Sequence, residues 1–216
     1  MPNWVTNNVT IRGKDQSDLQ AMVDIIGLDK SNGDDGVPVG LFQYLIPCPE
    51  ELYRTPKQHF PDVPEFQDQI KMQNKLEIAN IQKYKFPTWL EHNHEMWGTK
   101  WDACRPEVLS LTEGELVLLF DTAWAAPIPI FEHLTAKGFE VEAVYYEEGM
   151  QSWGRYQNGE VEYSTPPDWD RYGEVGPIAF YGECVPQYIT DAFPYLKSDL
   201  EDEQQYWENE REEATV

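Results

Sequence analysis

Twice along this chain a run that alternates apolar and polar residues gives way to a run with helical spacing, and that repeated switch narrows the fold more than any other feature. Over residues 4–12, Val5, Val9 and Ile11 point one way and Thr6, Asn8 and Thr10 the other, the pattern of a strand with one buried face. Gly13 closes the strand. Asp15 suits the N-cap of a helix with Asp18 in its first turn, and Leu19, Met22, Val23 and Ile26 follow at helical spacing before Gly27. The second instance begins with a strand pair, 107–112 and 115–121, turned at Glu113-Gly114. Pro127 and Pro129 fit the first turn of a helix that buries Ile130, Phe131 and Leu134 and stops at Gly138. Phe139, Val141, Ala143 and Tyr145 then alternate as another strand.

With residues 28–100 set aside, the order is strand, helix, strand, strand, helix, strand, which is the ferredoxin-like split βαβ plan. The expected class is therefore α+β: an antiparallel sheet with helices on one face. Asn158-Gly159 between 152–157 and 160–164 is a strong hairpin signal and predicts an extra C-terminal hairpin that extends the sheet. The chain reads as one domain over 1–180, with 28–100 as a long insertion after the first helix and 181–216 as an acidic tail, helical from about Val185 to Glu213. The insertion or the tail would cover the sheet face that the helices leave open.

Within the insertion, Leu41 to Ile46 reads as a short strand, and Glu50-Glu51-Leu52 starts a helical turn after Pro47 and Pro49. Pro64 opens a helix to about Tyr84, with Phe66, Ile70, Leu76 and Ala79 as its apolar stripe. Residues Asp29 to Asp34 have the composition of a calcium loop, but the glycine comes one place early and Gly40 stands where the bidentate Glu belongs, so calcium is set aside.

Charge restricts the partners. The 216 residues carry 16 Lys plus Arg against 39 Asp plus Glu, a formal charge of −23. Such a surface repels polyanions at long range, which argues against direct binding of nucleic acid or an anionic membrane and favours a basic protein surface. The apolar run Leu116 to Phe120 is far too short to span a bilayer, and the first residues lack the basic and apolar regions of a signal peptide. Three scattered cysteines, Cys48, Cys104 and Cys184, with no CxxC, fit a reducing cytoplasm.

Several clusters qualify as sites. Trp97, Thr99, Lys100, Trp101 and Asp102 pack two indoles, an ammonium and a carboxylate into one short segment, and with Asp121, Trp124 and Glu147 they would line a ligand or partner pocket. Lys100 is expected to pair with Asp102, Asp121 or Glu147. The alternative is that the indoles close the core where the insertion meets the sheet. His92 and His94, with Glu95 and Asp102, are weak metal candidates on the premise that they share the face of a strand. Cys104 with either histidine is a weak nucleophile pair. No nucleophile elbow or phosphate-cradling glycine loop is present, and no cofactor is expected. Trp4, Thr6 and Asn8, with Arg12 and Lys14 nearby, outline an RNA-recognition surface but lack its signature peptides. In the tail, Asp199, Glu201, Asp202, Glu203, Glu208, Glu210, Glu212 and Glu213 form a track of carboxylates that would imitate nucleic-acid phosphates toward a basic channel.

Several peptides, in order and spacing, resemble the YubB-type ferredoxin-like family of phage, plasmid and pathogenicity-island proteins. They are Met1-Pro2-Asn3-Trp4 with Asn7-Asn8-Val9-Thr10-Ile11 and Gly13, then Ile46 to Leu52, then Trp97-Gly98-Thr99-Lys100-Trp101-Asp102-Ala103. Phe120-Asp121-Thr122-Ala123-Trp124 with Pro127, and Tyr146-Glu147-Glu148-Gly149-Met150, complete the set. The resemblance spans residues 1 to about 165, with Cys48 and Ala125-Ala126 as departures. It implies a ferredoxin-like core and a mobile-element origin, and no particular reaction. The resulting expectation is a small acidic protein, in a host bacterial cytoplasm, that binds and inhibits a basic host or defence protein, itself one that binds nucleic acid if the mimicry holds. Two alternatives stand beside it: an enzyme or small-ligand binder using the Trp97–Asp102 and Asp121–Trp124 segments, and a structural or assembly protein that forms a homo-oligomer.

Overall fold

The alternating N-terminal segment is strand β1, Trp4–Arg12, buried at every second residue. Asp15 then accepts a hydrogen bond from Ser17 N at 2.9 Å and caps α1, Gln16–Ile26. The computed structural model describes residues 3–13, 15–27, 40–55, 61, 63–147, 152–164 and 174–213, with the backbone alone at 183–184 and 212–213. After α1 come α2 (Leu41–Leu45), α3 (Glu50–Arg54), a 3₁₀ turn (Pro64–Phe66) leading into α4 (Gln67–Tyr84), and α5 (Trp89–Met96). Strands β2 (Cys104–Thr112) and β3 (Glu115–Ala123) precede α6 (Ile128–Ala136) and β4 (Glu140–Glu147). Strands β5 (Ser152–Gln157) and β6 (Glu160–Tyr163) are joined at Asn158 and Gly159, both at positive φ as a type I′ hairpin turn requires. Three helices follow: α7 (Pro177–Cys184), α8 (Gln187–Ala192) and α9 (Tyr195–Glu213).

The sheet order is β2-β3-β1-β4-β5-β6, and every paired neighbour is antiparallel. Its first four strands have the ferredoxin-like arrangement, with β1 between β3 and β4, and the β5–β6 hairpin extends the β4 edge. The α+β ferredoxin-like reading therefore holds. On one face, called the front, Val9, Ile11, Leu116, Leu118, Phe120, Val141 and Ala143 pack with Leu19 and Met22 of α1 and Ile130, Phe131 and Leu134 of α6. The insertion adds Leu41, Phe42, Leu52 and Trp97 to this same core. The back face is covered over β4 and β5 by the tail. There Tyr146 and Trp153 pack with Ile189, Phe193 and Leu196, and Asn8 Nδ2 donates to Ala192 O at 3.1 Å.

Three expectations need correcting. Leu41–Leu45 is a helix, because its first free N–H groups find an acceptor far along the chain: the Asp102 carboxylate takes Phe42 N at 2.9 Å and Gln43 N at 2.8 Å. Gly40 makes room for that carboxylate, since a Cβ there would stand 2.5 Å from Asp102 Cγ. The helical stretch expected from about Val185 starts earlier, at Pro177, and is divided into three helices by breaks at Pro186 and Pro194, where proline withholds an N–H and restricts the preceding residue. Finally, α4 buries Asn80, whose Nδ2 donates to Thr55 Oγ1 at 2.7 Å and Pro87 O at 2.8 Å, while Leu76 and Met72 stay exposed. A periodic stripe is buried only where another element meets it. Among the described residues no helix is long and apolar enough to cross a membrane. The calcium-like segment, Lys14 and residues 148–150 lie outside the described residues.

Candidate functional site

The 97–102 segment does not close around one pocket; alternate residues turn to different tasks. Trp97 is 0% exposed, donates Nε1–H to Ile46 O at 2.9 Å and meets Phe42 edge-on at 6.0 Å. Thr99 Oγ1 donates to Ala123 O at 2.9 Å, the last residue of β3. Asp102 accepts from Ala103 N at 2.7 Å besides capping α2. These three side chains bind the insertion to the sheet. Trp101 instead lies beside Trp4, centroids 6.1 Å apart, with Lys100 Nζ 4.8 Å above the Trp101 ring.

Among the described residues Lys100 has no ion pair, contrary to expectation. The cation that reaches Asp121 is Arg105, with Nη2 2.6 Å from Oδ2, while Thr6 Oγ1 donates to Oδ1 at 2.9 Å. The Arg105 guanidinium also sits 5.6 Å over Trp4. Sequence reasoning missed Arg105, and only strand pairing, which sets Cys104 opposite Asp121, brings it there. The Trp4 and Thr6 side of the sheet is thus occupied by an aromatic pair and an ion pair, and Asn8 is held by the tail.

Trp124 belongs to a different place. Asn7, fully buried on β1, donates Nδ2–H to Thr122 Oγ1 at 3.0 Å, and Thr122 Oγ1 donates to Ala125 O at 2.7 Å. Trp124 N donates to Asn3 O at 2.9 Å. This chain of bonds holds the turn after β3, with Trp124 at φ 72° and its indole 57% exposed. The indole borders a cleft of about 250 Å³ whose walls include Val5, Tyr145, Glu147, Ser152 and Tyr163. Register explains the grouping: Val5 pairs with Glu147, Glu147 with Ser152, Tyr145 with Gly154 and Gly154 with Tyr163, so all lie on the front face at one end of the sheet. Gly154 is required there, because a Cβ would collide with the Tyr145 hydroxyl. Tyr145 donates its hydroxyl to Glu162 O at 3.2 Å, and burial pushes its pKa up. Of the eight residues expected to share a pocket, the cleft holds Trp124 and Glu147.

His92 and His94 fall on α5, not on a strand, so two residues' separation turns them about 200° apart. His92 is buried, edge-on to Trp97 at 6.1 Å and to Phe86 at 5.1 Å, and burial pulls its pKa down. His94 is exposed. Among the described residues no group of three or more His, Cys, Asp or Glu is placed to hold a metal ion. Burial pushes the Cys48 thiol up to about 12, which makes it a poor nucleophile. Cys104 Sγ donates to Asp102 O at 3.4 Å.

In the tail, α9 is anchored by Leu196 in the back core and by Trp207 against Gly176. Asp199, Glu201, Asp202, Glu203, Glu208 and Glu210 are exposed along it. Among the described residues no ion pair engages Asp199, Glu201, Asp202, Glu208 or Glu210. The backbone of Glu212 and Glu213 continues the helix, and their side chains lie outside the description.

Residues 96–176 match the model of a family described as the ferredoxin-like domain in Api92-like protein, a stretch that contains β2, β3, α6, β4 and the β5–β6 hairpin. A solved structure, a protein Api92 from Yersinia pseudotuberculosis, is similar over 78% of this chain and 100% of its own, with 11% sequence identity and a TM-score of 0.35. No curated protein matches the chain.

Proposed function

We propose that this chain is a binding protein whose acidic helix α9 docks onto a basic macromolecule in the place of nucleic acid. The observation that carries the reading is the density of carboxylate along α9. Eight acidic residues lie between Asp199 and Glu213, and at ~1.5 Å of rise per residue they occupy about 21 Å. That is one negative charge per ~2.6 Å, between the ~3.4 Å of one DNA strand and the ~1.7 Å of the duplex. The helix is fixed to the back of the sheet at its start, so the track is presented and not merely tethered. A basic channel that neutralises it would gain affinity steeply dependent on salt. The peptides that resemble the YubB-type family support a phage or plasmid setting, in which the partner would be a host or defence protein in the bacterial cytoplasm, and binding would block its access to nucleic acid.

The test is capture from bacterial lysate on the full chain and on an Asp199→Asn, Glu201→Gln, Asp202→Asn, Glu208→Gln variant, at about 0.05 and 0.2 M salt. A partner held by the parent at low salt, lost at high salt and absent from the variant supports the reading. Partners that ignore both changes, or direct binding of DNA or RNA by the purified chain, would remove it.

A further inference from the structure

Helix α4 departs from the charge of the chain around it. Residues 64–85 carry Lys71, Lys75, Lys83 and Lys85 against Glu65, Asp68 and Glu77, so of the 16 Lys plus Arg and 39 Asp plus Glu the rest of the chain holds 12 and 36. The same helix leaves large apolar side chains in water: Met72 is 67% exposed, Ile78 57%, Ile81 46% and Leu76 38%. Its C-terminal half is fixed to the fold by the Asn80 bonds and by Lys83, whose Nζ lies 2.9 Å from Glu51 Oε1. At α4, therefore, two acidic chains can meet without setting one field of carboxylates against another at the contact.

One stripe of this helix is its own complement. Asp68, Met72, Leu76, Ala79 and Lys83 follow at spacings of four, four, three and four, so at about 100° per residue they lie within an arc of about 80°. All five are exposed. Laid antiparallel to itself, the stripe sets Asp68 of one copy beside Lys83 of the second, Met72 beside Ala79, and Leu76 beside Leu76 near the twofold axis. Each copy thus offers an acid and a base at opposite ends of an apolar middle, and the opposed helix dipoles attract. The Asp68 side chain is 98% exposed and meets Lys71 at 3.7 Å, so it is at the surface to be reached. Ile78 and Ile81 lie about 120° or more from the middle of the stripe and take no part. The 18 residues of α4 span about 27 Å and would pair along a strip about 10 Å wide, a contact of the weak, transient class.

We infer that the chain forms a weak twofold dimer through the Asp68, Met72, Leu76, Ala79 and Lys83 stripes of two antiparallel α4 helices. Burial of Met72, Leu76 and Ala79 supplies the attraction, and the two Asp68–Lys83 pairs set direction and register. The surplus charge of each copy opposes association at long range. Salt screens that repulsion, the Debye length falling from ~30 Å at 0.01 M to ~8 Å at 0.15 M, so the dimer tightens as salt rises.

The test is sedimentation equilibrium on the full chain at about 10 and 300 μM, in about 0.05 and 0.3 M NaCl. The mass should rise from 25.1 kDa toward twice that at the higher concentration, and further at the higher salt. Leu76→Glu, at an exposed position, should abolish the rise, while Ile78→Gln, off the stripe, should leave the affinity within about twofold. Asp68→Lys and Lys83→Glu should each weaken self-association about tenfold, and an equimolar mixture of the two should recover it, because each chain then meets the opposite charge at both ends. A folding defect in either variant cannot produce that recovery. A chain monomeric at about 300 μM in the higher salt would leave the stripe to some other protein and overturn the inference. So would a dimer indifferent to Leu76→Glu, a dimer that salt dissociates, or a mixture no tighter than the separate variants. None of these results bears on α9, whose docking weakens with salt and is tested by its own variant.

Discussion

The two faces of the sheet are closed by different means. The front is packed by α1, α6 and, from the insertion, α2, α3 and Trp97, and its core takes in Phe42, Trp97 and Leu118 from segments far apart in sequence. Among the described residues the back is covered over β4 and β5 by the tail, through Tyr146, Trp153, Ile189, Phe193 and Leu196, and toward the β2 edge it carries Trp4, Trp101 and the Arg105–Asp121 pair. One face thus buries a core shared by distant parts of the chain, whereas the other holds a smaller apolar cluster beside an ion pair and a partly exposed aromatic pair. The lesson is that the insertion, which looked like an addition to the ferredoxin-like plan, is part of its core, while the tail is the addition.

This contrast can be broken in order of expected effect. Phe42→Ala should cost about 3–5 kcal/mol of global stability, seen as a lower urea midpoint with loss of amide protection in the sheet as well as in the insertion. If β1 and β3 kept their protection, the insertion would be an independent unit and the comparison would fail. Asp102→Ala removes a carboxylate that accepts from Phe42 N, Gln43 N and Ala103 N, and should cost about 2–3 kcal/mol, measured the same way, with Asp102→Asn recovering part of it. Phe193→Ala is as large a truncation as Phe42→Ala, but it should loosen α8 and α9 and lower the global midpoint by less than about 2 kcal/mol. Faster hydrogen exchange confined to the tail would sharpen the contrast, and exchange spread through β1 and β3 would end it.

Acid should act on the front face. Burial holds the His92 imidazole below its ordinary 6.5, so the unfolded chain binds the proton first. Its contribution to stability is full above that value and is lost as pH falls from 6.5 through the lowered folded-state pKa. Urea midpoints taken across this window should decline for the parent, and His92→Leu should flatten the decline whatever it does to the midpoint at neutral pH. The smallest effect belongs to the open part of the back face. Arg105→Ala breaks an ion pair whose cation is largely exposed and should cost under about 1 kcal/mol, less still at high salt. A loss several times larger would show that this patch is a true second core.

What could be read in advance follows a physical divide. Alternation in Trp4–Arg12, the cap at Asp15, the Asn158-Gly159 turn and the helix after Pro127 are all local, with signals lying within a few residues of what they specify. From these the ferredoxin-like order and the extra hairpin could be derived. The state of Leu41–Leu45 could not, because its cap is Asp102, some 60 residues on. The candidate site divided likewise. Sequence could name Trp124 and Glu147 as chemically useful, but it grouped them with Trp97 and Asp102, which the fold spends on anchoring the insertion.

Local patterning and charge, then, determined by themselves that this chain builds a ferredoxin-like sheet and carries a dense carboxylate track at its end. Only the tertiary structure decided which faces the insertion and tail would close, which cation would reach Asp121, and which aromatics would stand around Glu147. The reason is that strand register and long-range hydrogen bonds choose neighbours between residues that share nothing in the linear order.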